Sequence, residues 1–209
     1  MTRAPSFCGV ILAAGDSTRM GSPKALLPWR RGTFLSGTIR ALTGFTDLVI
    51  VVAGSNAEIL RPVADAEAAY LIPNPQPERG QFSSLQVGLQ EVLNRGRDAA
   101  IITLVDRPPC ATQTVSLLQQ EFLARIARDV WAVVPEYQGQ HGHPYVIGRE
   151  MIGKFLDAPA SATARDIQHA NQAHIDYIAV TDPFVIANVD TPEDYQRLLA
   201  NTPETSVSR

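Results

Sequence analysis

An excess of positive charge is the first thing this sequence lacks. Eighteen Lys and Arg against 21 Asp and Glu give a formal net charge of −3. That balance offers no basic field for nucleic acid or an anionic membrane, and neither is expected as a partner. Any bound phosphate must therefore be met by a few local cations. Cysteine is scarce as well. Cys8 and Cys110 are the only two, and they lie far apart and match no zinc spacing. A single long-range disulfide is one reading, and a reduced cytosolic protein the simpler one. His141, His169 and His174 show no metal spacing and read as surface residues. No apolar run is long enough to span a membrane. The opening segment has one basic residue, a short apolar run and then glycine, which suits a first strand better than a signal peptide. A cytoplasmic location is expected. Internal repeats and low-complexity segments are missing too.

What is present is ordinary globular composition, 45% hydrophobic and 19% charged over 209 residues. That length suits one domain, expected over residues 1–200, with 201–209 as a flexible polar tail. Nearly continuous apolar runs at 7–13, 48–52, 99–105 and 131–134 are strand-length, and such runs suit strands covered on both faces. Helix-period stripes lie between them. Leu35, Thr38, Ile39 and Leu42 form one; Phe82, Leu85, Leu89 and Leu93 form another; Val115, Leu118, Phe122 and Ile126 form a third, with Thr112 or Thr114 as its N-cap. Thr191 as cap, Pro192 in the first turn and Asp194 as box partner announce a last helix. Residues 136–144 read as a Gly- and His-rich loop. Residues 145–147 and 175–180 add strands, as an antiparallel excursion near the sheet edge, and 184–187 form an apolar strand before the last helix. Trp29 and Trp131, beside apolar runs, read as core; Cys8 reads as a strand residue. The alternation predicts an α/β fold, a three-layer, doubly wound, mostly parallel sheet.

In such a sheet, ligands sit outside the carboxyl ends of the strands. Three segments fall there. The first, L-A-A-G-D-S-T-R-M-G-S-P-K over 12–24, leaves the opening strand with Gly15, Gly21 and two cations, Arg19 and Lys24. Small residues let backbone N–H groups approach a phosphate chain, and the cations neutralise it. Walker A is excluded because Gly21 is followed by Ser-Pro-Lys, and G-x-G-x-x-G is absent. The segment is thus either a phosphate loop of a third kind or a plain strand-to-helix turn with two surface cations. The second is Leu104-Val105-Asp106-Arg107-Pro108, with Cys110 close by. Asp106 suits Mg²⁺, which takes one or two carboxylates and fills its octahedron with phosphate and water; a turn cap is the other reading. The third, Asn188-Val189-Asp190-Thr191-Pro192-Glu193-Asp194-Tyr195, supplies Asp190 as a second carboxylate of the same kind, while capping explains Asp194.

Together the three segments resemble the MobA-like nucleotidyltransferase superfamily, from Gly9 to about Leu199. Its L-A-[AG]-G-x-[SG]-x-R-M-G-x-x-K signature is matched over 12–24 and continues into Leu26, Leu27 and Pro28. D-x-P is met at Asp106 to Pro108, and D-T-P-E-D-Y at Asp190 to Tyr195. Gly80-Gln81-Phe82-Ser83-Ser84-Leu85 and Gly139-Gln140-His141-Gly142-His143-Pro144 look like segments of the molybdenum cofactor cytidylyltransferase (MocA-like) branch. The guanylyl-transferring branch usually reads L-A-G-G where this chain has Ala14, which leans towards CTP. Asn188 stands where relatives often carry a third acidic residue, and this chain is left with two carboxylates there.

The resemblance implies a Rossmann-like nucleotidyltransferase fold and transfer of CMP from CTP to a phosphorylated acceptor, molybdopterin or the molybdenum cofactor, with release of pyrophosphate. It implies Mg²⁺ on Asp106 and Asp190, and Lys24 and Arg19 on the triphosphate, with Lys24, Arg19 and Asp106 as the catalytic set. The backbone of Leu12, Ala13, Ala14 and Gly15 would meet base and ribose. Asn74, Gly80 and Ser84 would line the nucleotide side, and His143 either faces the acceptor or orders its loop. A molybdoenzyme or its chaperone is the implied protein partner. Another nucleotide, or a sugar or polyol phosphate acceptor, would leave the same nucleotide-side marks. Two further classes stand beside this one. A non-catalytic nucleotide-binding protein assisting molybdoenzyme maturation is disfavoured by the joint presence of Lys24, Asp106 and Asp190. A nicotinamide redox enzyme is disfavoured by the missing dinucleotide fingerprint.

Overall fold

The apolar runs become strands because a strand covered on both faces has no place for a polar side chain. The computed structural model describes residues 4–15 and 23–202. In chain order the elements are β1 (Phe7–Ala13), a small hairpin of β2 (Pro28–Trp29) and β3 (Gly32–Thr33), α1 (Phe34–Thr43), β4 (Leu48–Ala53), α2 (Ala57–Ala66), β5 (Tyr70–Pro73), α3 (Gln81–Asn94) and β6 (Ala99–Leu104). There follow α4 (Thr112–Arg125), β7 (Ala132–Tyr137), β8 (Gln140–His141), β9 (Tyr145–Gly148), α5 (Arg149–Leu156), α6 (Ala164–Ala170), β10 (Ile175–Ala179) and α7 (Pro192–Asn201). The main sheet runs β10–β7–β9–β6–β1–β4–β5, with β8 on β7. β1 is central, parallel to β4 on one side and to β6 on the other.

Alternate residues of β1 feed two separate cores. Phe7, Ile11 and Ala13 join Leu35, Ile39, Leu60, Leu118 and Phe122 from α1, α2 and α4. Cys8, Val10 and Leu12 join Leu85, Leu89, Met151 and Phe155 from α3 and α5. Helices therefore cover both faces, and the expected three-layer, doubly wound, mostly parallel architecture is what the chain forms. Fully burying an aliphatic or aromatic side chain stabilises by about 1.5–3 kcal/mol, so these two clusters hold the sheet in place.

Several expectations are corrected. The expected excursion does reach the sheet edge, where β10 is the last strand, but β9 lies inside the sheet, paired antiparallel with β6 and with β7. The chain gets there through a two-residue β7–β8 hairpin at Gln138 and Gly139, both at positive φ, the turn geometry that matches strand twist. Residues 184–187 are no strand. Pro183–Val185 form a single 3₁₀ turn capped by Asp182, and nothing regular follows until α7. Neither Thr112 nor Thr114 caps α4. Instead Asp182 Oδ2 accepts from Ala111 N at 2.7 Å and from Thr114 Oγ1 at 3.0 Å, a cap supplied from distant sequence. Ile126 leaves the α4 stripe for a 3₁₀ turn. Trp29 is core, but Trp131 lies only partly covered with its ring stacked 3.6 Å from His174. Helix α2 was missed because Pro62 stands inside it and obscures the helical signal. The cysteines are free thiols, and burial pushes both up to about 12. Among the described residues no helix is long and apolar enough to cross a membrane.

Candidate active site

Strand order reverses at β1: α1 leads to β4 on one side, while β6 returns on the other. In a doubly wound sheet this switch point opens a crevice at the carboxyl ends. Lys24, Asp106 and Asp190 meet there. Lys24 Nζ donates to Asp190 Oδ1 at 2.6 Å and lies 3.9 Å from Asp106 Oδ2, so one ammonium faces both carboxylates. Lys24 is 9% exposed, buried for its type, which makes this pairing more than a solvated surface contact.

Residues far apart in sequence are brought together by a third, aromatic cluster. Leu27 and Trp29, just after Lys24, pack with Phe34 and with Val189, just before Asp190. Phe184 and Tyr195 close it, edge-on to Trp29 and Phe34. Tyr195 Oη also donates to Pro28 O at 2.6 Å. Asp190 is held from its own side as well. Its Oδ2 accepts from the Asn188 amide, and its N–H donates to Asp194 Oδ2 at 3.1 Å. Asp194 forms the capping box of α7 with Thr191, so its structural reading holds.

Asp106 is set by the end of β6. Val105 N donates to Leu12 O at 3.1 Å, and Asp106 O accepts from Val189 N at 3.0 Å. Burial raises the Asp106 carboxyl above the ordinary carboxylate range, against the pull of Lys24 and Arg107. Its Oδ1 is buried without a hydrogen-bond partner among the described residues. A buried carboxylate oxygen so placed fits a cation. Among the described residues no group of three or more His, Cys, Asp and Glu is arranged for a metal. Two carboxylates suit Mg²⁺ or Mn²⁺ shared with phosphate oxygens, rather than an all-protein cage.

Arg107 was passed over as the middle of D-x-P, yet it is part of the site. Its Nη1 donates to Val185 O at 3.0 Å and reaches Ala187 O at 3.4 Å. His143 N donates to the same Val185 carbonyl at 2.8 Å. A Cβ on Gly142 would collide with that carbonyl, so only glycine lets the two loops meet. The His143 Nδ1 is buried, with no hydrogen-bond partner among the described residues. Burial, then the Arg107 guanidinium, lower its pKa to about 3, so the ring is neutral at working pH.

On the other side of β1, Leu12 and Ala13 are buried, Ala14 is half-buried and Gly15 exposed. Asn56 Nδ2 donates to Ala13 O at 2.8 Å, and a Cβ on Gly54 would lie 2.6 Å from Ala14 O. Asn56 carried no sequence signal beyond a turn. Asn74 Nδ2 donates to Ser83 Oγ at 2.8 Å and Ser84 Oγ at 3.0 Å, and its Oδ1 accepts from Gln76 N at 2.9 Å. Asn74 and Ser84 thus stitch the loop after β5 onto α3, while Gly80, at φ 85°, starts that helix from an exposed position. Arg19 lies outside the described residues.

A doubly wound sheet gathering a lysine and two aspartates at its switch point suits a phosphate-handling α/β protein. Residues 9–176 match the MobA-like NTP transferase domain, and the chain belongs to that family of nucleotidyltransferases. It is 25% identical over 187 residues to the molybdenum cofactor cytidylyltransferase of Escherichia coli (strain K12), covering 89% of this chain and 92% of that one. It is 26% identical over 206 residues to the molybdenum cofactor guanylyltransferase of Xanthomonas euvesicatoria pv. vesicatoria (strain 85-10), covering 98% and 100%. Among solved structures, Rv0371c from Mycobacterium tuberculosis H37Rv superposes with a TM-score of 0.78 at 29% identity, over 95% of this chain and 100% of that one. A manganese complex of Rv0371c superposes with a TM-score of 0.73 at 25% identity, over 94% and 100%.

Proposed function

We propose that this nucleotidyltransferase moves CMP from CTP to the terminal phosphate of the molybdenum cofactor, releasing pyrophosphate in a Mg²⁺-dependent reaction. The observation that carries it is one ammonium, Lys24 Nζ, set 2.6 Å from Asp190 and 3.9 Å from Asp106 at the carboxyl end of β1. The acceptor phosphate attacks the α-phosphorus in line. A P–O bond forms there, the bond to the β-phosphate breaks, and its electrons leave with pyrophosphate. A phosphate nucleophile is already anionic near pH 7, so no Ser–His or Cys–His pair is needed, and positioning and charge carry the rate.

Lys24 exchanges Asp190 for the triphosphate and, with Arg19, stabilises charge on the departing pyrophosphate. Asp106 and Asp190 would hold Mg²⁺, which when bound draws negative charge from the phosphate oxygens. The backbone of 12–15 meets base and ribose, with Asn74 and Ser84 shaping the loop that ends at Gly80. His143, neutral by burial, presents a hydrogen-bonding ring on the acceptor side. Ala14 supports CTP over GTP, because the guanylyl-transferring branch usually has glycine there.

The test has two parts. Thermal shift with CTP, GTP, UTP, dTTP and ATP in the presence of Mg²⁺ is expected to single out CTP. A ligand bound only by the folded state stabilises by about 2.7 kcal/mol at 100 times its Kd. Pyrophosphate release from CTP is then expected with molybdenum cofactor as acceptor. A larger shift with GTP overturns the base assignment; release only with a sugar or polyol phosphate overturns the acceptor.

A further inference from the structure

The segment from Val185 to Asp190 carries one of the two proposed metal ligands, yet no sheet ladder holds it. It starts at the last residue of a single 3₁₀ turn and precedes α7. Its backbone groups are nevertheless engaged. Val185 O accepts from Arg107 Nη1 at 3.0 Å and from His143 N at 2.8 Å; Ala187 O faces the same Nη1 at 3.4 Å; Val189 N donates to Asp106 O at 3.0 Å. Residues 106 and 107 thus grip three alternate positions, 185, 187 and 189, as a neighbouring strand would. At two of the three the grip comes from one guanidinium.

From this we infer that Arg107 is a positioning residue: its side chain replaces the missing strand partner and fixes Asp190 opposite Asp106. The inference rests on the proposed role of those two carboxylates. Guanidinium chemistry suits the task. Its planar fork keeps a fixed direction between carbonyls, whereas lysine offers a flexible point charge. Arg107 Nε is buried with no partner among the described residues, so the group sits there at a desolvation cost that simple packing would not require.

Arg107→Met and Arg107→Lys in the full-length chain provide the test, with Mn²⁺ as the metal probe. Hydrogen exchange by mass spectrometry over 183–190 is expected to rise about tenfold in both, with β1 and α3 unchanged. Displacing an outer residue that orients a ligand typically costs about 10- to 100-fold in metal affinity. Mn²⁺ affinity, read by electron paramagnetic resonance, is therefore expected to fall about tenfold or more. The kcat should fall similarly, with KM for CTP within about twofold. Lysine is not expected to rescue, and should that variant alone fold, its exchange and Mn²⁺ affinity are sufficient. Unchanged exchange overturns the inference. So does raised exchange with Mn²⁺ affinity within about twofold of the parent, which would leave Arg107 a purely structural residue. A parent that binds Mn²⁺ no better than the Asp106→Asn, Asp190→Asn double variant overturns it too. A parent that binds Mn²⁺ through those carboxylates but releases no pyrophosphate removes only the proposed reaction.

Discussion

The two sides of β1 solve their polar bookkeeping in opposite ways. On the β4–β5 side, the Asn56 amide satisfies Ala13 O and Gly54 N, while Asn74 satisfies Gln76 N and both serine hydroxyls. On the β6 side, Asp106 Oδ1, Arg107 Nε and His143 Nδ1 supply three of the four buried side-chain atoms without a partner among the described residues. A buried unpaired polar group costs about 1–3 kcal/mol, so folding alone does not favour such a cluster. The first side is a cradle complete in itself. The second leaves buried polar atoms without a partner among the described residues, at the place where metal and acceptor are proposed to meet.

That contrast should appear as opposite responses of stability and activity. The largest effect on turnover is expected for Lys24→Ala, which removes the charge partner shared by Asp106 and Asp190. Steady-state pyrophosphate release should fall 100-fold or more, equivalent to about 3–4 kcal/mol in the barrier. Near-parental turnover would take Lys24 out of the mechanism. On the satisfied side, Asn74→Ala strands the Gln76 N–H and removes the donor to two serine hydroxyls. Unfolding in urea should show a loss of about 2–3 kcal/mol, and a loss below about 0.5 kcal/mol would show that the network contributes little.

Acid exposes the strain on the other side. His143 has a folded pKa near 3 against an ordinary 6.5, so between those values the unfolded chain binds the extra proton. Stability is then complete above pH 6.5 and declines as pH falls below it, by up to about 1.4 kcal/mol per unit from this group. Asp106, raised above 3.8 by burial, pulls the opposite way, being the better proton acceptor when folded. Comparing the parent with His143→Gln between pH 5 and 6.5 isolates the histidine, and equal slopes would show that its ring is not buried neutral. The smallest stability effect is expected for Asp106→Asn. Removing a partly desolvated charge should change unfolding free energy by less than about 1 kcal/mol, even as pyrophosphate release is lost. A large destabilisation would recast Asp106 as a structural cap.

Much of the molecule was legible because it rests on short-range physics. A buried parallel strand is almost wholly apolar, so β1, β4 and β6 stand out, with Thr103 the one polar side chain in β6; a capping box needs only residues 191–194, so the start of α7 does too. Lys24, Asp106 and Asp190, named from their motifs, do come together at the candidate site, while Arg19 lies outside the described residues. Where local signals are ambiguous, the reading failed. Residues 145–147 and 184–187 are similarly short and apolar, yet β9 lies inside the sheet and 184–187 is no strand at all, because an apolar run does not name its neighbour. Asp182 capping α4 left no local trace for the same reason.

From sequence alone came the strand-and-helix alternation, the small-residue motif over 12–24 and the identity of the charged residues, since each depends on side chains a few positions apart. Only the tertiary structure decided that Lys24 reaches Asp190 across 166 positions, that an arginine stands in for a strand, and which buried polar atoms lack a partner among the described residues. Those outcomes depend on which apolar surfaces pack together, here the aromatic cluster of Leu27, Trp29, Phe34 and Val189. No local pattern encodes that choice.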